Sequence, residues 1–284
     1  MSQDIYSTIT DNIISQLEKG VIPWQQPFTV DGQHRNFFTG YAYNGINRLI
    51  TSFSKYKQPY WLTLNQARKH KTWVKRSEID NYTEIVWWKI NQSEDKETGE
   101  IKTFPIGKLY RIYNIEQCDE LPKLPDTVNE DNYFIDNVDK LCNEYFERES
   151  IKQTFANCTP HYNITMDSIT LPELKFAVNT ERYYATLFHE MGHSTGHAKR
   201  LNRAIKNIFG SESYSFEELV AELTSSFLCH QCKIDNTIEQ SSAYIDSWLK
   251  VFRNEDNKRL IVRASSQAEK ATNYILNTQN TKTE

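Results

Sequence analysis

The pentapeptide His189-Glu190-Met191-Gly192-His193 constrains the fold of this chain more than any other feature. Two histidines four residues apart lie on one face of an α-helix, so both imidazoles can reach a single metal ion. Glu190 is placed beside them to act as a general base on a water molecule that the ion polarises. Zn²⁺ suits such a site because it accepts nitrogen and oxygen ligands and leaves one position open, and other divalent ions are alternatives. The motif therefore predicts a helix that carries a metal-dependent hydrolytic site.

A catalytic zinc site needs a third protein ligand, and the residues leave more than one candidate. Glu218 lies on a second predicted helix, on the side opposite its apolar stripe, so its carboxylate could face the two histidines. His197 follows His193 by four residues, but Gly196 is expected to end the helix before it. Glu222, one turn beyond Glu218, could accept the other ring N–H of a ligand histidine.

Competing interpretations stay open from the residues alone. Ser215 and Glu218 match a capping box, which would turn this carboxylate back onto the start of its own helix. His197 is then the alternative third ligand, or an auxiliary group that polarises a substrate carbonyl. The CxxC spacing of Cys229 and Cys232 is a weak indication of a structural metal site, because no second pair accompanies it.

Charge and composition divide the chain into two unlike parts. The net charge is −4 overall, but it is +2 through Lys123 and −6 beyond it, and five of the six tryptophans lie in the first part. The near-balance excludes an acidic DNA mimic and a uniformly basic DNA-coating protein. Two prolines in residues 121–126 predict a linker. We therefore expect one domain over 1–122, a linker over 123–131 and a second domain over 132–284.

Hydrophobic patterning predicts an α+β fold in two domains. The first is a small α+β domain with an amphipathic helix over 4–19, strands over 84–90 and 108–115, and a polar hairpin tip over 91–103. The second is mostly helical with a short sheet. Its predicted elements are a strand over 167–171 and helices near 134–149, 180–195, 215–231, 241–252 and 265–277.

The first part interleaves basic and aromatic residues in a way that suits single-stranded DNA. Bases stack on aromatic rings without sequence preference, while Lys and Arg neutralise phosphates. An aromatic core with a solvated basic helix face is the competing interpretation. In a strand, one of Trp87 and Trp88 must face away from the core. The candidate DNA contacts are Trp61, Arg68, Lys69, Lys71, Trp73, Lys75, Arg76, Trp88 and Arg111.

The chain resembles the ArdC-type antirestriction proteins of plasmids and conjugative elements. The residues that carry the resemblance in the first part include Pro23-Trp24, Tyr43-Asn-Gly-Ile-Asn47 and Tyr110-Arg-Ile-Tyr-Asn114; those in the second include His189 to His193, Thr195-Gly-His197, Glu217-Glu-Leu-Val-Ala-Glu-Leu223 and Ala243-Tyr-Ile245. The resemblance implies an N-terminal domain that binds single-stranded DNA and a C-terminal zincin-like metallopeptidase domain. The Glu217–Leu223 segment is also similar to the second-helix motif of gluzincins, which implies Glu218 as metal ligand and Glu222 as supporting acid.

The resemblance implies a role in protecting incoming mobile-element DNA from host restriction. One hypothesis is a working peptidase whose substrate is a host protein. The alternative is a DNA-shielding protein whose zinc site is structural or vestigial; the intact Glu190 favours the peptidase. Five scattered cysteines, no apolar run long enough for a membrane span and no visible signal peptide lead us to expect a cytoplasmic protein.

Overall fold

The structure is a computed structural model that describes residues 5–25, 33–52, 54–94, 101–119, 134–177, 179–203, 212–234 and 242–278. The helices are α1 (Ile5–Glu18), α2 (Ile46–Ser52), α3 (Leu64–Lys69), α4 (Phe134–Glu149), α5 (Thr180–Ser194), α6 (Glu212–Gln231), α7 (Ser242–Phe252) and α8 (Leu260–Ile275). The strands are β1 (Arg35–Asn36), β2 (Tyr60–Leu62), β3 (Trp73–Val74), β4 (Thr83–Glu94), β5 (Ile101–Asn114), β6 (Cys118–Asp119), β7 (Lys152–Phe155), β8 (His161–Asn163) and β9 (Ser168–Leu171).

The architecture is the expected α+β fold with two domains. The N-terminal sheet has the order β1-β2-β5-β4, in which β4 and β5 form a long antiparallel hairpin. Both strands extend into the predicted tip, and the pairing runs from Thr83 opposite Ile112 to Glu94 opposite Ile101. The predicted linker over 123–131 lies outside the described residues.

Helix α1 covers one face of the hairpin. The ring of Tyr6, a residue of α1, packs on the ring of Trp88, and the two ring centroids are 5.8 Å apart. Gly107 makes this packing possible, because a Cβ at that position would lie 2.8 Å from the Trp88 ring and 3.0 Å from Ile5. Strand alternation then turns Trp87 to the opposite face of the sheet.

The C-terminal domain places helices α5 and α6 against each other and a small sheet beside them. The sheet order is β7-β9-β8, with β7 parallel and β8 antiparallel to β9. The helix predicted from residue 265 begins five residues earlier, at Leu260, and α6 begins at Glu212 rather than 215. Within the described ranges, none of the helices combines the length and apolar character that crossing a bilayer requires.

One buried hydrophobic cluster contains residues of both domains. Ile13 and Leu17 of α1 belong to the same buried cluster as Ile261 of α8. The following turn inserts Trp24, whose ring meets Trp248 of α7 edge-on at 5.6 Å. Each such buried side chain contributes about 1.5–3 kcal/mol, so separating the domains would expose a costly apolar surface. Experiments on either domain are therefore best made with the full chain.

Candidate metal centre

Helix α5 carries the histidine motif, and its start and buried face follow from its sequence. The side chain of Asn179 caps the first turn by accepting a hydrogen bond from the backbone N–H of Arg182 at 2.7 Å. Leu187, Phe188 and Met191 are buried in the core of the C-terminal domain. This packing fixes the rotation of α5 and turns the two histidines toward α6.

His189, His193 and Glu218 form one cluster of metal-ligating atoms. The two histidine Nε2 atoms are 3.1 Å apart, and they lie 3.6 and 3.5 Å from the two Glu218 carboxylate oxygens. A tetrahedral ion with bonds of about 2.1 Å holds its ligand atoms about 3.4 Å apart. The donor set and its spacing therefore fit a divalent ion of the size of Zn²⁺.

Close packing of α5 on α6 brings the third ligand within reach. Gly192 lies at the crossing, where an added Cβ would be 3.1 Å from the Ala221 Cα and 3.2 Å from the Thr224 Cβ. One turn away from the crossing, Ser225 donates a 2.7 Å hydrogen bond to the carbonyl of Ala185. The glycine inside the motif thus has a structural reason, since any side chain there would push the helices apart.

Glu217 faces the outer ring nitrogen of one ligand. Its Oε1 lies 3.4 Å from Nδ1 of His193, and Arg203 binds the same carboxylate with two hydrogen bonds of 2.7 and 2.9 Å. Burial alone would raise the pKa of Glu217, but the hydrogen bonds from Arg203 and His193 hold it below its ordinary value. A charged acceptor at Nδ1 fixes the ring orientation and leaves Nε2 free to bind a metal ion.

Two arginines hold the C-terminal end of α5. Arg203 donates to the Gly192 carbonyl at 2.8 Å, and Arg200 donates to the Ser194 carbonyl at 2.6 Å. These carbonyls belong to the last turn of α5, where the backbone C=O groups have no N–H partner within the helix. Arg200 is itself anchored by an ion pair with Asp167. The end of the helix that bears His193 is therefore tied to the segment that follows it.

The cluster of negative charge changes the protonation of His189. Burial is the largest single effect and lowers the pKa of His189. The hydrogen bond to Glu218 and the charges of Glu222 and Glu190 together outweigh burial and raise this pKa to about 9. Glu190 itself is only 6% exposed. The pocket therefore favours positive charge, which is the electrostatic property that a cation site requires.

Among the described residues, the group of three metal-ligating side chains does not include Glu222 or His197, although the charge of Glu222 acts on His189. The Glu222 carboxylate accepts hydrogen bonds from Tyr244 at 2.7 Å and Gln25 at 3.2 Å, and the acid that faces the ring of His193 is Glu217. The His197 Nδ1 accepts the backbone N–H of Lys199 at 3.2 Å.

The capping-box interpretation of Glu218 is wrong. Helix α6 begins at Glu212, so Ser215 lies inside the helix rather than at its N-cap.

Cys229 is fully buried and Cys232 partly buried. In the part of the chain that the structure describes, the CxxC pair joins no group of three metal-ligating residues.

The candidate DNA contacts divide into buried and exposed residues. Trp61 is fully buried and donates a 2.8 Å hydrogen bond to Nδ1 of His34, so it cannot stack on a base. Trp88 packs against α1, and the exposed tryptophan of the pair is Trp87. Trp73 is exposed, as are Arg68, Lys69, Lys71, Lys75, Arg76 and Arg111. Arg111 lies over the ring of Tyr82 at 4.0 Å.

Comparison with known proteins bears on both domains. A family model described as the N-terminal domain of anti-restriction factor ArdC matches residues 3–113, and one described as a zincin-like metallopeptidase matches residues 141–267. Among curated proteins, a DNA primase TraC of Escherichia coli is 30% identical over 95% of the chain, which spans only 20% of that relative's length.

Two solved structures of the antirestriction ArdC protein from the R388 plasmid cover nearly the whole chain. The metal-free structure is 31% identical with a TM-score of 0.76 and matches 97% of this chain and 98% of that one. The Mn(II)-bound structure is 30% identical with a TM-score of 0.75 and matches 99% of this chain and 100% of that one.

The fold and the cluster on α5 and α6 define a two-domain protein with a zincin-like C-terminal domain and a candidate site for a divalent metal ion. Together with the match over almost the full length of both molecules, they show that the chain belongs to the ArdC-type antirestriction family.

Proposed function

We propose that this protein binds single-stranded DNA through its N-terminal domain and hydrolyses a peptide bond at the His189–His193–Glu218 site, so that incoming mobile-element DNA escapes host restriction. The observation that carries the catalytic part is a set of three ligand atoms spaced for one metal ion, together with the buried Glu190, whose charge acts on the ligand His189. The proposal includes domains over 1–122 and 132–284 with a linker over 123–131, a cytoplasmic location and a host protein substrate.

The chain supplies both the ligands and a base. Two imidazole nitrogens and one carboxylate form a donor set typical of zinc, and a relative with bound Mn(II) supports a divalent ion in general. A bound ion would act as a Lewis acid toward a carbonyl oxygen and water. Glu190 accepts the proton from the attacking water and can return it to the leaving amine, since it follows His189 in α5 and its charge acts on that histidine. Glu217 and Arg203 keep His193 oriented during this exchange.

Antirestriction in cells tests whether proteolysis is the mechanism. We would transfer a plasmid by conjugation into restricting and non-restricting recipients and compare wild type with Glu190→Gln. The substitution keeps size and fold but removes the base, so we expect protection to fall to the level of the empty vector. Glu181→Gln, an exposed acid in the first turn of α5, is the matched control and should protect like wild type.

The outcome separates the two rival functions. Metal content and thermal unfolding of the purified Glu190→Gln protein should match wild type, which shows that the site is intact. If that protein protects DNA as well as wild type does, the function is DNA shielding and the metal is structural.

DNA binding is tested with the full chain. We expect tighter binding to an oligonucleotide single strand than to a duplex of the same length, with an affinity that falls as salt rises. Because each neutralised phosphate on a single strand contributes about −0.7 to the slope of log K against log salt, the slope also counts the cations in contact. Equal affinity for both forms, or no binding at low salt, rejects this part of the proposal.

A further inference from the structure

A groove of about 1300 Å³ lies between the β4–β5 hairpin and helix α8. Its lining on the sheet side includes Trp87, Lys89 and Tyr110, and on the helix side Ser266 and Lys270. The groove is therefore built by both domains and crosses the interface between them. It is separate from the histidine cluster, since none of the ligand residues lines it.

Exposed aromatic side chains stand along this groove. Trp87 is 53%, Tyr110 39% and Tyr41 52% exposed, although large aromatic side chains are mostly buried in a folded domain. The Trp87 and Tyr110 ring centroids are 6.4 Å apart at an angle of 74°. The Nζ of Lys108 also lies over the Tyr110 ring, 5.3 Å from its centroid, so a cation and two exposed rings stand together. Unpaired bases are the ligands that stack on aromatic faces without regard to sequence.

The charges that line the groove favour an anionic ligand. Lys89 and Lys270 are both exposed, and the acid among the lining residues, Glu269, is already paired. Its oxygens accept from the buried Arg48 at 3.5 Å and from the backbone N–H of Gly45 at 3.2 Å. Antiparallel pairing sets Lys108 directly opposite Trp87, on the same face of the sheet. A cation thus accompanies the aromatic surface at several points, as a phosphate backbone requires.

The groove walls are held in place by a buried link between the domains. Arg48 of α2 donates a 2.8 Å hydrogen bond to the Phe227 carbonyl of α6 and pairs with Glu269 of α8. Asn47 makes two hydrogen bonds with the backbone of Val86, at 2.8 and 2.7 Å, and so holds α2 to the edge of β4. A preformed groove loses little entropy when a ligand binds.

The basic segment around α3 and β3 is the competing surface. It carries more cations than the groove, but its exposed aromatic side chain is Trp73. Moreover, the Nζ of Lys75 is engaged with the Glu116 carbonyl at 3.1 Å. Trp73 is one stacking platform, whereas the groove has exposed rings at Trp87, Tyr110 and Tyr41. Cations attract duplex and single strands alike, so the surface with more stacking rings accounts better for a preference for single strands.

We propose that single-stranded nucleic acid binds in this groove, with bases stacked on Trp87 and Tyr110 and the phosphates beside Lys89 and Lys270. The inference rests on the proposed DNA-binding function and gives it a location. It also assigns a DNA contact to the last helix of the metallopeptidase-like domain, because Lys270 belongs to α8.

Anisotropy of a fluorescein-labelled 15-mer of oligothymidylate, titrated with full-length protein, tests the location. We expect Trp87→Ala to weaken binding about tenfold, since stacking on one ring is worth roughly that much. Trp73→Ala is the matched control, because Trp73 is 54% exposed and Trp87 53%, and it should bind within twofold of wild type. Lys270→Gln should reduce the salt slope by about 0.7. Both tryptophans are at the surface, and equal thermal unfolding of the variants confirms that they fold.

The results distinguish the location from the function. If wild type does not bind the oligonucleotide, the proposed DNA-binding function is wrong and the groove has no such ligand. If wild type binds but Trp87→Ala and Lys270→Gln leave the affinity and salt slope unchanged, single strands bind elsewhere and only the location is overturned. Loss of binding in Trp73→Ala alone would point to the α3–β3 surface.

Discussion

Replacing Gly192 by alanine tests whether the helix crossing sets the geometry of the metal centre. The new Cβ would lie 3.1 Å from the Ala221 Cα, 3.4 Å from the Ala221 carbonyl oxygen and 3.2 Å from the Thr224 Cβ. The first two contacts are with backbone, which cannot rotate away. The variant can therefore fold only if α5 and α6 move apart by a few tenths of an ångström.

The expected loss of stability is small because two effects oppose each other. Overpacking a well-packed contact costs about 1–3 kcal/mol. Alanine is the better helix former by about 1 kcal/mol, which leaves a net loss of about 0–2 kcal/mol. For a protein of this size, that corresponds to a fall in Tm of at most about 8 °C.

Metal affinity should suffer more than stability. His189 and His193 lie on α5 and Glu218 lies on α6, so separating the helices moves the third ligand away from the other two. Ligand distances must be kept within about 0.2 Å, and disturbing ligand placement typically weakens binding 10- to 100-fold. We expect a loss in that range.

Calorimetric titration with Zn²⁺ or Mn²⁺ and thermal unfolding of the metal-stripped protein measure the two effects separately. Gly40→Ala is the control, because Gly40 has a φ of +69° in open space and its replacement costs about 1 kcal/mol of backbone strain far from the site. If Gly192→Ala binds metal like wild type, or if Gly40→Ala weakens binding as much, the crossing does not control the site.

Three further predictions concern buried ionisable side chains. Glu217→Gln should weaken metal binding 10- to 100-fold in calorimetry, because His193 loses its charged Nδ1 partner; unchanged affinity would contradict the role of Glu217. Burial and, to a smaller extent, the charge of Arg48 lower the pKa of His34 to about 4. Below about pH 6.5 His34 therefore binds a proton in the unfolded chain but stays neutral in the folded protein. Stability should therefore fall by about 2 kcal/mol between pH 7 and pH 5 in urea unfolding, and His34→Gln should remove that part of the dependence. Arg48→Met should cost about 3–5 kcal/mol in the same assay, since Glu269 keeps a partly buried charge without its partner; a loss below 1 kcal/mol would refute this.

Local periodicity predicted the elements that carry the chemistry. The helix expected over 180–195 is observed as Thr180–Ser194, and the helix expected over 4–19 as Ile5–Glu18. These segments have one apolar face, so their type can be recognised without knowledge of their partner. The partner is what the sequence does not show. The apolar face of α1 packs on helices of the other domain, a contact more than 200 residues away in the chain.

The direction in which individual side chains point is the second feature that the sequence does not predict. Alternation in strand β4 requires Trp87 and Trp88 to face opposite ways, but only the packing of α1 and Gly107 decides which of them is covered. Likewise, helical spacing made Glu222 an acceptable partner for a ligand histidine. At His193 the structure places Glu217 in this position, and Arg203 reaches that acid from the segment after α5. A buried acid needs a cation nearby, and such a pairing between segments has no spacing rule.

Metal binding to the purified protein and to three variants tests the proposed metal centre most directly. We predict one Zn²⁺ or Mn²⁺ bound per chain, binding at least 100-fold weaker in Glu218→Ala, and wild-type affinity in Glu190→Gln and His197→Ala. Wild-type affinity in Glu218→Ala, or loss of the ion in His197→Ala, would contradict the assignment of His189, His193 and Glu218 as the metal centre.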